Sequence, residues 1–442
     1  MIKEYDSSKV KLPEAGPGHL RYFLTVVLLV VFSIHYLQRV NISILMADPI
    51  FLREMGLNGE PAKQGLLMTL FLLAYALTNL FTGSLGDLFG PRRVMAFGVA
   101  VGGGAMLLGG AASAFGTLLL ARVLLGIGHG IHYPNHGVFI RRWFPSWERG
   151  KANSISSIGS DLGPIIAMPL FTMVTLLWGW KMSFYLMAGI AFLVALPLIL
   201  IFIRDQPGKS SLIGEAERNY LQDNVDINSP VDKHSGESLV LRVKEVLRTP
   251  QFMMLVVAYA SFLSIWFGLL TWLPQYLTLA RGISFKTMGF LSSLPYVMGI
   301  IGLILAGFGS DRMGRRAPFA VLAFISTSLL LFWADLTANV YFSAFLISVA
   351  TGTISLFVGV FWAMVQNRLP GHLVGFGTGL ISGVGNLFSA AAPVAIGILI
   401  QFSNSYFVGI LYLVGFGVVG SICSMALARK EANNLGYISD KR

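Results

Sequence analysis

GSLGDLFGPRR (83–93) and GFGSDRMGRR (307–316) are two copies of one short pattern. In both, a glycine is followed by an aspartate at the fourth residue, a glycine at the seventh and an arginine at the ninth. The residues are Gly83, Asp87, Gly90 and Arg92 in the first copy, and Gly307, Asp311, Gly314 and Arg316 in the second. Glycine allows close approach and a sharp turn, and the carboxylate and basic residues suit the charged ends of helices. Each copy lies between two long apolar runs. A pattern returning at the same point of two successive apolar series marks a chain built from two related halves.

Outward from these loops the chain is apolar almost throughout. Of 442 residues 55% are hydrophobic and 12% charged, about half the charge of an ordinary soluble domain. Runs of this length and composition predict transmembrane helices, and the 49 glycines and 18 prolines suit such helices. We read twelve spans: 22–46, 64–88, 94–112, 116–140, 152–176, 182–203, 251–279, 287–309, 318–335, 341–366, 375–401 and 406–428. The expected fold is therefore an all-α polytopic membrane protein. Its parts are a tail at 1–21, a six-helix bundle at 22–203, a linker at 204–250 rich in both charges, a second six-helix bundle at 251–428, and a tail at 429–442.

The net charge of +11 does not point to nucleic acid, because there is no basic recognition helix or aromatic platform. The surplus lies beside the spans. With both termini inside, Arg53, Lys63, Lys181, Arg281 and Lys286 are the basic residues of the outer loops, and the others, two apart, are cytoplasmic. That distribution obeys the positive-inside rule. The single Cys423 excludes a disulfide framework, and residues 1–20 are too polar for a cleavable signal peptide. Short outer loops, with the Asn41–Ser43 sequon inside a span, suggest a bacterial inner membrane. No nucleotide loop, nucleophile elbow or metalloprotease motif is present, so an enzyme is not expected.

The two exceptions to the charge rule are Arg39 and Arg122, inside spans 1 and 4. A guanidinium there costs several kcal/mol and keeps its proton, so it usually faces a cavity on an ion or substrate path. Tyr75, Thr78 and Thr82 share a face of span 2 by helical spacing.

Beyond the repeated loops, the chain carries YLQRVNIS (36–43), ARVLLGIG (121–128), WFPSWERGKAN (143–153), WGWKMSF (178–184), TWLPQYL (271–277), FWAMVQNRLPG (361–371) and GTGLISGVGN (377–386). With six plus six spans, these resemble the major facilitator superfamily. Within it they resemble the anion:cation symporter family, which includes transporters of galactonate, glucarate, hexuronates and phthalate and relatives of sialin. The resemblance implies a rocker-switch transporter, commonly monomeric and without cofactor, with its substrate site between the halves. It places Arg39 on the substrate carboxylate, with Tyr36, Tyr75, Gln275, Trp362 and Asn386 around it and Arg122 as a second contact, gate or packing residue. Proton-coupled members usually have an acidic residue before the span 1 arginine and a glutamate seven residues after the span 4 arginine. Here those positions hold Gln38 and His129.

Histidines are concentrated instead. His35 is in span 1, and His129, His132 and His136 are in span 4. At about 100° per residue, Arg122, His129 and His136 stack with roughly 20° between successive members. An imidazole titrates near neutral pH, which makes His129 and His35 candidates for proton coupling. A metal site is disfavoured by the lack of acidic or thiol ligands and by the nearby arginines. His132 and His136 read more simply as hydrogen-bonding groups. Asp161 in span 5 either pairs with an arginine or carries a proton. Asp48 and Asp335, near outer span ends, are expected to be solvated.

The leading function is uptake of a small organic anion, a sugar acid or other polar carboxylate, driven by protons. Organophosphate:phosphate exchange is the first alternative, and a transporter-like receptor the second.

Overall fold

The computed structural model describes residues 18–225, 239–249, 251–313, 315–369 and 373–439. Among them are twelve helices long and apolar enough to cross a membrane: Leu20–Leu45, Pro61–Thr82, Pro91–Gly110, Phe115–Trp143, Arg149–Trp178, Trp180–Phe202, Phe252–Ala280, Phe285–Ser310, Ala317–Leu336, Val340–Arg368, Phe376–Ser403 and Tyr406–Arg429. They match the twelve expected spans and keep those numbers below. No strand occurs among the described residues. An even number of spans leaves both termini and the linker on one side, called here the termini face; the other is the opposite face.

Prolines at the starts of spans 2, 3 and 9 suit helix entry, where an N–H is dispensable. Pro134 sits inside span 4. It cannot donate to the carbonyl four residues earlier, that of Gly130. The hydroxyl of Thr82 from span 2 donates to that oxygen at 3.1 Å. Asn135 beside it donates to the carbonyls of Ile131, at 2.6 Å, and Thr82, at 3.3 Å. Glycines bring the neighbouring helices close. A Cβ on Gly130 would lie 2.6 Å from the Tyr75 carbonyl oxygen, and one on Gly128 would lie 2.6 Å from that of Gly98.

Two acidic residues expected in solvent are engaged. Asp48 is buried and caps helix Pro49–Glu54, accepting from the amides of Ile50 and Phe51. Capping supplies partners that water would otherwise provide. Asp335 accepts from the Tyr276 hydroxyl at 3.0 Å and lies 3.5 Å from the guanidinium of Arg281. Arg281 also donates to the carbonyls of Ala334, Asp335 and Thr337 at the end of span 9.

The linker's first helix, Glu215–Asn224, is fastened to the first bundle. Arg21 is fully buried and donates to Glu148 at 2.8 Å and Glu217 at 2.9 Å. Tyr220 donates to Glu148 at 2.9 Å and Tyr22 does so at 3.2 Å. Burial by itself pushes the Glu148 carboxyl up. Hydrogen bonds from Arg21 and Tyr220, with the Arg21 charge, outweigh it and hold the group below its ordinary 4.5. Because the folded value is lowered, Glu148 contributes its full stability above the ordinary 4.5 and loses it as pH falls from there through the lower folded value. Glu148→Gln should therefore cost about 3 kcal/mol near neutral pH, since it leaves a buried charge poorly paired. Thermal unfolding in detergent should show the gap between wild type and variant closing on acidification.

Candidate functional site between the halves

Span 1 delivers His35, Tyr36, Gln38 and Arg39 within little more than one turn. Arg39 is buried, 4% exposed, and its guanidinium carbon lies 4.5 Å from the centre of the Tyr36 ring, 5.0 Å from Tyr75 and 5.1 Å from Phe71. Ring faces attract a cation, by about 2 kcal/mol where water is excluded. Its Nε has no protein partner. Arg122 is 1% exposed and sits 4.7 Å from the Phe71 ring. It donates from Nε to the Leu67 carbonyl at 3.1 Å and from Nη2 to the Arg39 carbonyl at 3.5 Å. Arg122 thus ties span 4 to spans 2 and 1. Among the described residues neither arginine pairs with a carboxylate.

Phe71 escaped the sequence reading although it touches both cations. The signal was available: it lies four residues before Tyr75, hence on the same helical face.

Gln38 and His129, which stand where acidic residues were expected, meet directly. The His129 Nε2 lies 2.9 Å from the Gln38 Oε1. The His35 ring centre lies 4.5 Å from that of His129 and 4.4 Å from that of His132. His136 bonds the Ser156 hydroxyl of span 5 at 2.8 Å. Among the described residues, no group of His, Cys, Asp or Glu is arranged to hold a metal ion.

From the second bundle, Tyr259 of span 7 joins an aromatic cluster, and Trp266 of the same span meets Tyr296 of span 8 at 5.9 Å. Tyr259 stacks on Phe361 at 5.0 Å and meets Trp362 at 5.1 Å. Asn386 spends its amide on the Ser382 carbonyl of its own helix. Asp161 pairs with no arginine among the described residues and accepts from Ser160 at 3.3 Å. Its Oδ1 also lies 3.5 Å from where a Cβ on Gly299 of span 8 would stand.

Gln275 is placed differently, at the opposite face, where its amide donates to Gln64 of span 2 at 3.0 Å. Here the bundles close on each other. Gln401 accepts from the Ala62 amide, and Thr69 accepts from the Val394 amide. Side chains on Gly65 and Gly397 would strike the Pro393 and Pro61 carbonyls.

At the termini face, Arg141 of span 4 donates to Asp87 at 2.6 Å. The Arg92 amide donates to Asp205 at 2.9 Å, and Gly90, at φ +85°, leaves no room for a side chain against that carboxylate. The backbone of Gly83 is helical. Gly314 and the side chain of Asp311 lie outside the described residues, and Arg316 is the residue immediately before span 9.

Twelve spans in two bundles, closed at one end around buried arginines and phenols, define a polytopic membrane transporter. The description "Major Facilitator Superfamily" matches residues 27–393. The chain belongs to that superfamily, a family of transporters and not of enzymes. It is 30% identical to the "Probable galactarate/D-glucarate transporter GudP" of Bacillus subtilis, over 94% of this chain and 93% of that protein. It is 28% identical to the "Probable sulfoacetate transporter SauU" of Cupriavidus necator, over 91% and 93%. Among solved structures, a bacterial homolog of the human lysosomal transporter Spinster, inward-facing and unoccupied, superposes with a TM-score of 0.76. Its identity is 18%, over 94% of this chain and 98% of that one.

The closed end can be tested by cysteines at Ala62 and Gln401 on a Cys423→Ser background. A short bifunctional reagent should link them and arrest transport. Adding Gly65→Leu should prevent closure and sharply reduce linking, while gel filtration still reports a folded protein.

Proposed function

We propose that this protein is a secondary active transporter importing a small organic anion, with Arg39 gripping the anionic group and protons as the coupling ion. The observation that carries the reading is the state of Arg39. A buried guanidinium is held by three ring faces and has no carboxylate of its own. A planar guanidinium offers parallel donors to a carboxylate, so an arriving anion supplies the missing counter-charge. Tyr36 and Tyr75 present hydroxyls beside it. Trp362 and Asn386 belong to the facing wall, Arg122 holds the Arg39 backbone in place, and Gln275 serves the closed end. Galactarate, D-glucarate and sulfoacetate, for which these relatives are named, are acid anions of this class.

In this reading residues 22–203 and 251–428 rock about the site in a monomer. The termini face is the cytoplasmic side of a bacterial inner membrane. Asp87, Gly90 and Arg92, with Asp311, Gly314 and Arg316, form the conformational hinges there. The proton is taken by His129, His35 or Asp161, because the usual carboxylate positions hold Gln38 and His129.

Proteoliposomes given labelled sugar acids, sulfoacetate and phosphate esters, with and without an inward proton gradient, test it. A carboxylate or sulfonate should accumulate only with the gradient. Arg39→Ala should abolish uptake, and Arg39→Lys should lose at least about tenfold, because a point charge cannot reproduce the fork. Uptake that ignores the gradient and requires an anion on the far side would make the protein an exchanger.

A further inference from the structure

Four histidine side chains in the first bundle form a continuous series. His129 lies two turns from Arg122 on span 4 and beside Gln38 of span 1, His35 bridges it to His132, and His136 follows His132 by one turn toward the termini face. All four are buried. Yet His129 Nδ1, His35 Nε2 and both ring nitrogens of His132 have no hydrogen-bond partner among the described residues, and neither does the Gln38 amide nitrogen. Folded proteins rarely leave buried polar atoms unpaired, and such a group calls for an explanation. Here five such atoms are contiguous. A packing role for His132 would be served as well by phenylalanine, without two orphaned nitrogens.

Resting on the proton coupling proposed above, we propose that His129, His35, His132 and His136 are a proton relay linking the arginine site to the termini face. Gln38 fixes the entry point. By accepting from His129 Nε2–H it leaves Nδ1 with a free lone pair, the atom that takes the proton. Each transfer forms an N–H bond on one ring and breaks one on its neighbour, directly or across one water. A ring is cationic only while it holds the proton, and tautomer exchange resets it. His136 ends the series, and its bond to Ser156 holds it at the start of span 5.

The surroundings make the relay responsive to substrate. Arg39 and Tyr36 face it from span 1, Tyr75 from span 2, and Arg122 and Tyr133 from span 4. Span 3 approaches at Gly102, where a Cβ would lie 3.8 Å from the His129 ring, span 5 presents Ser156, and Asp161 lies against Gly299 of span 8. Two guanidiniums and an imidazolium repel one another in a low-dielectric interior. A bound anion removes part of that repulsion, so anion and proton favour each other's binding, and the coupling is reciprocal.

The test uses the full chain in lipid nanodiscs with ¹⁵N-labelled histidine, and His19, His234 and His372 replaced by glutamine. Imidazole resonances are followed between about pH 5 and 8, the range in which histidine switches. The relay requires His35 and His129 to titrate as a coupled set, and His132→Phe to displace both transitions. Rings that titrate independently of residue 132 overturn it. In proteoliposomes with labelled D-glucarate, His132→Phe should lose gradient-driven accumulation yet keep glucarate counterflow. Full accumulation in that variant overturns the relay. A wild type indifferent to the gradient overturns the coupling beneath it and the relay with it. Where glucarate is not carried, the resonance titration decides.

Discussion

Everything in the first bundle is arranged around two positive charges that cannot be discharged. Arg39 and Arg122 lie where water is scarce and carboxylates are missing, so the protein meets their demand with weaker partners. These are the faces of Tyr36, Phe71 and Tyr75 and the backbone oxygens of Leu67 and Arg39. None of these neutralises a charge. The bundle therefore keeps a positive charge at its centre without a carboxylate partner among the described residues, and in the function proposed above an incoming anion completes it.

That arrangement is sustained by close helix packing. Span 4 threads glycines past spans 2 and 3, bringing backbones together so that side chains reach across one helix radius. Spans 7, 8, 10 and 11 of the second bundle supply no opposing charge: spans 7 and 11 carry none, and spans 8 and 10 carry only Lys286 and Arg368 near their ends, while Asp335 of span 9 is engaged by Tyr276 and Arg281. Its contribution at the centre is aromatic and neutral, so the charge is asymmetric even though the architecture repeats.

Much of this was legible in the sequence, because membrane constraints write themselves in one dimension. Span number follows from apolar length, the repeat from the glycine–aspartate spacing, and the singular position of Arg39 from its charge inside an apolar run. Contacts between helices distant in sequence were not. Gln38 and His129 looked like two separate losses of a carboxylate, and are one hydrogen-bonded pair. Gln275 has the composition of a binding residue, yet its register carries it to the closed end. Asp48 and Asp335 were expected in water because they sit near span ends, where local backbone amides and Arg281 claim them instead.

The break at Pro134 has an evolutionary consequence. The carbonyl that proline frees on Gly130 is satisfied from another helix, by Thr82. The two positions therefore constrain each other's history. A lineage that lost the Thr82 hydroxyl first would pass through a chain with an orphaned carbonyl beside the histidines, whereas one that lost the proline first would merely duplicate a bond. Drift between these states runs easily in one direction and is obstructed in the other.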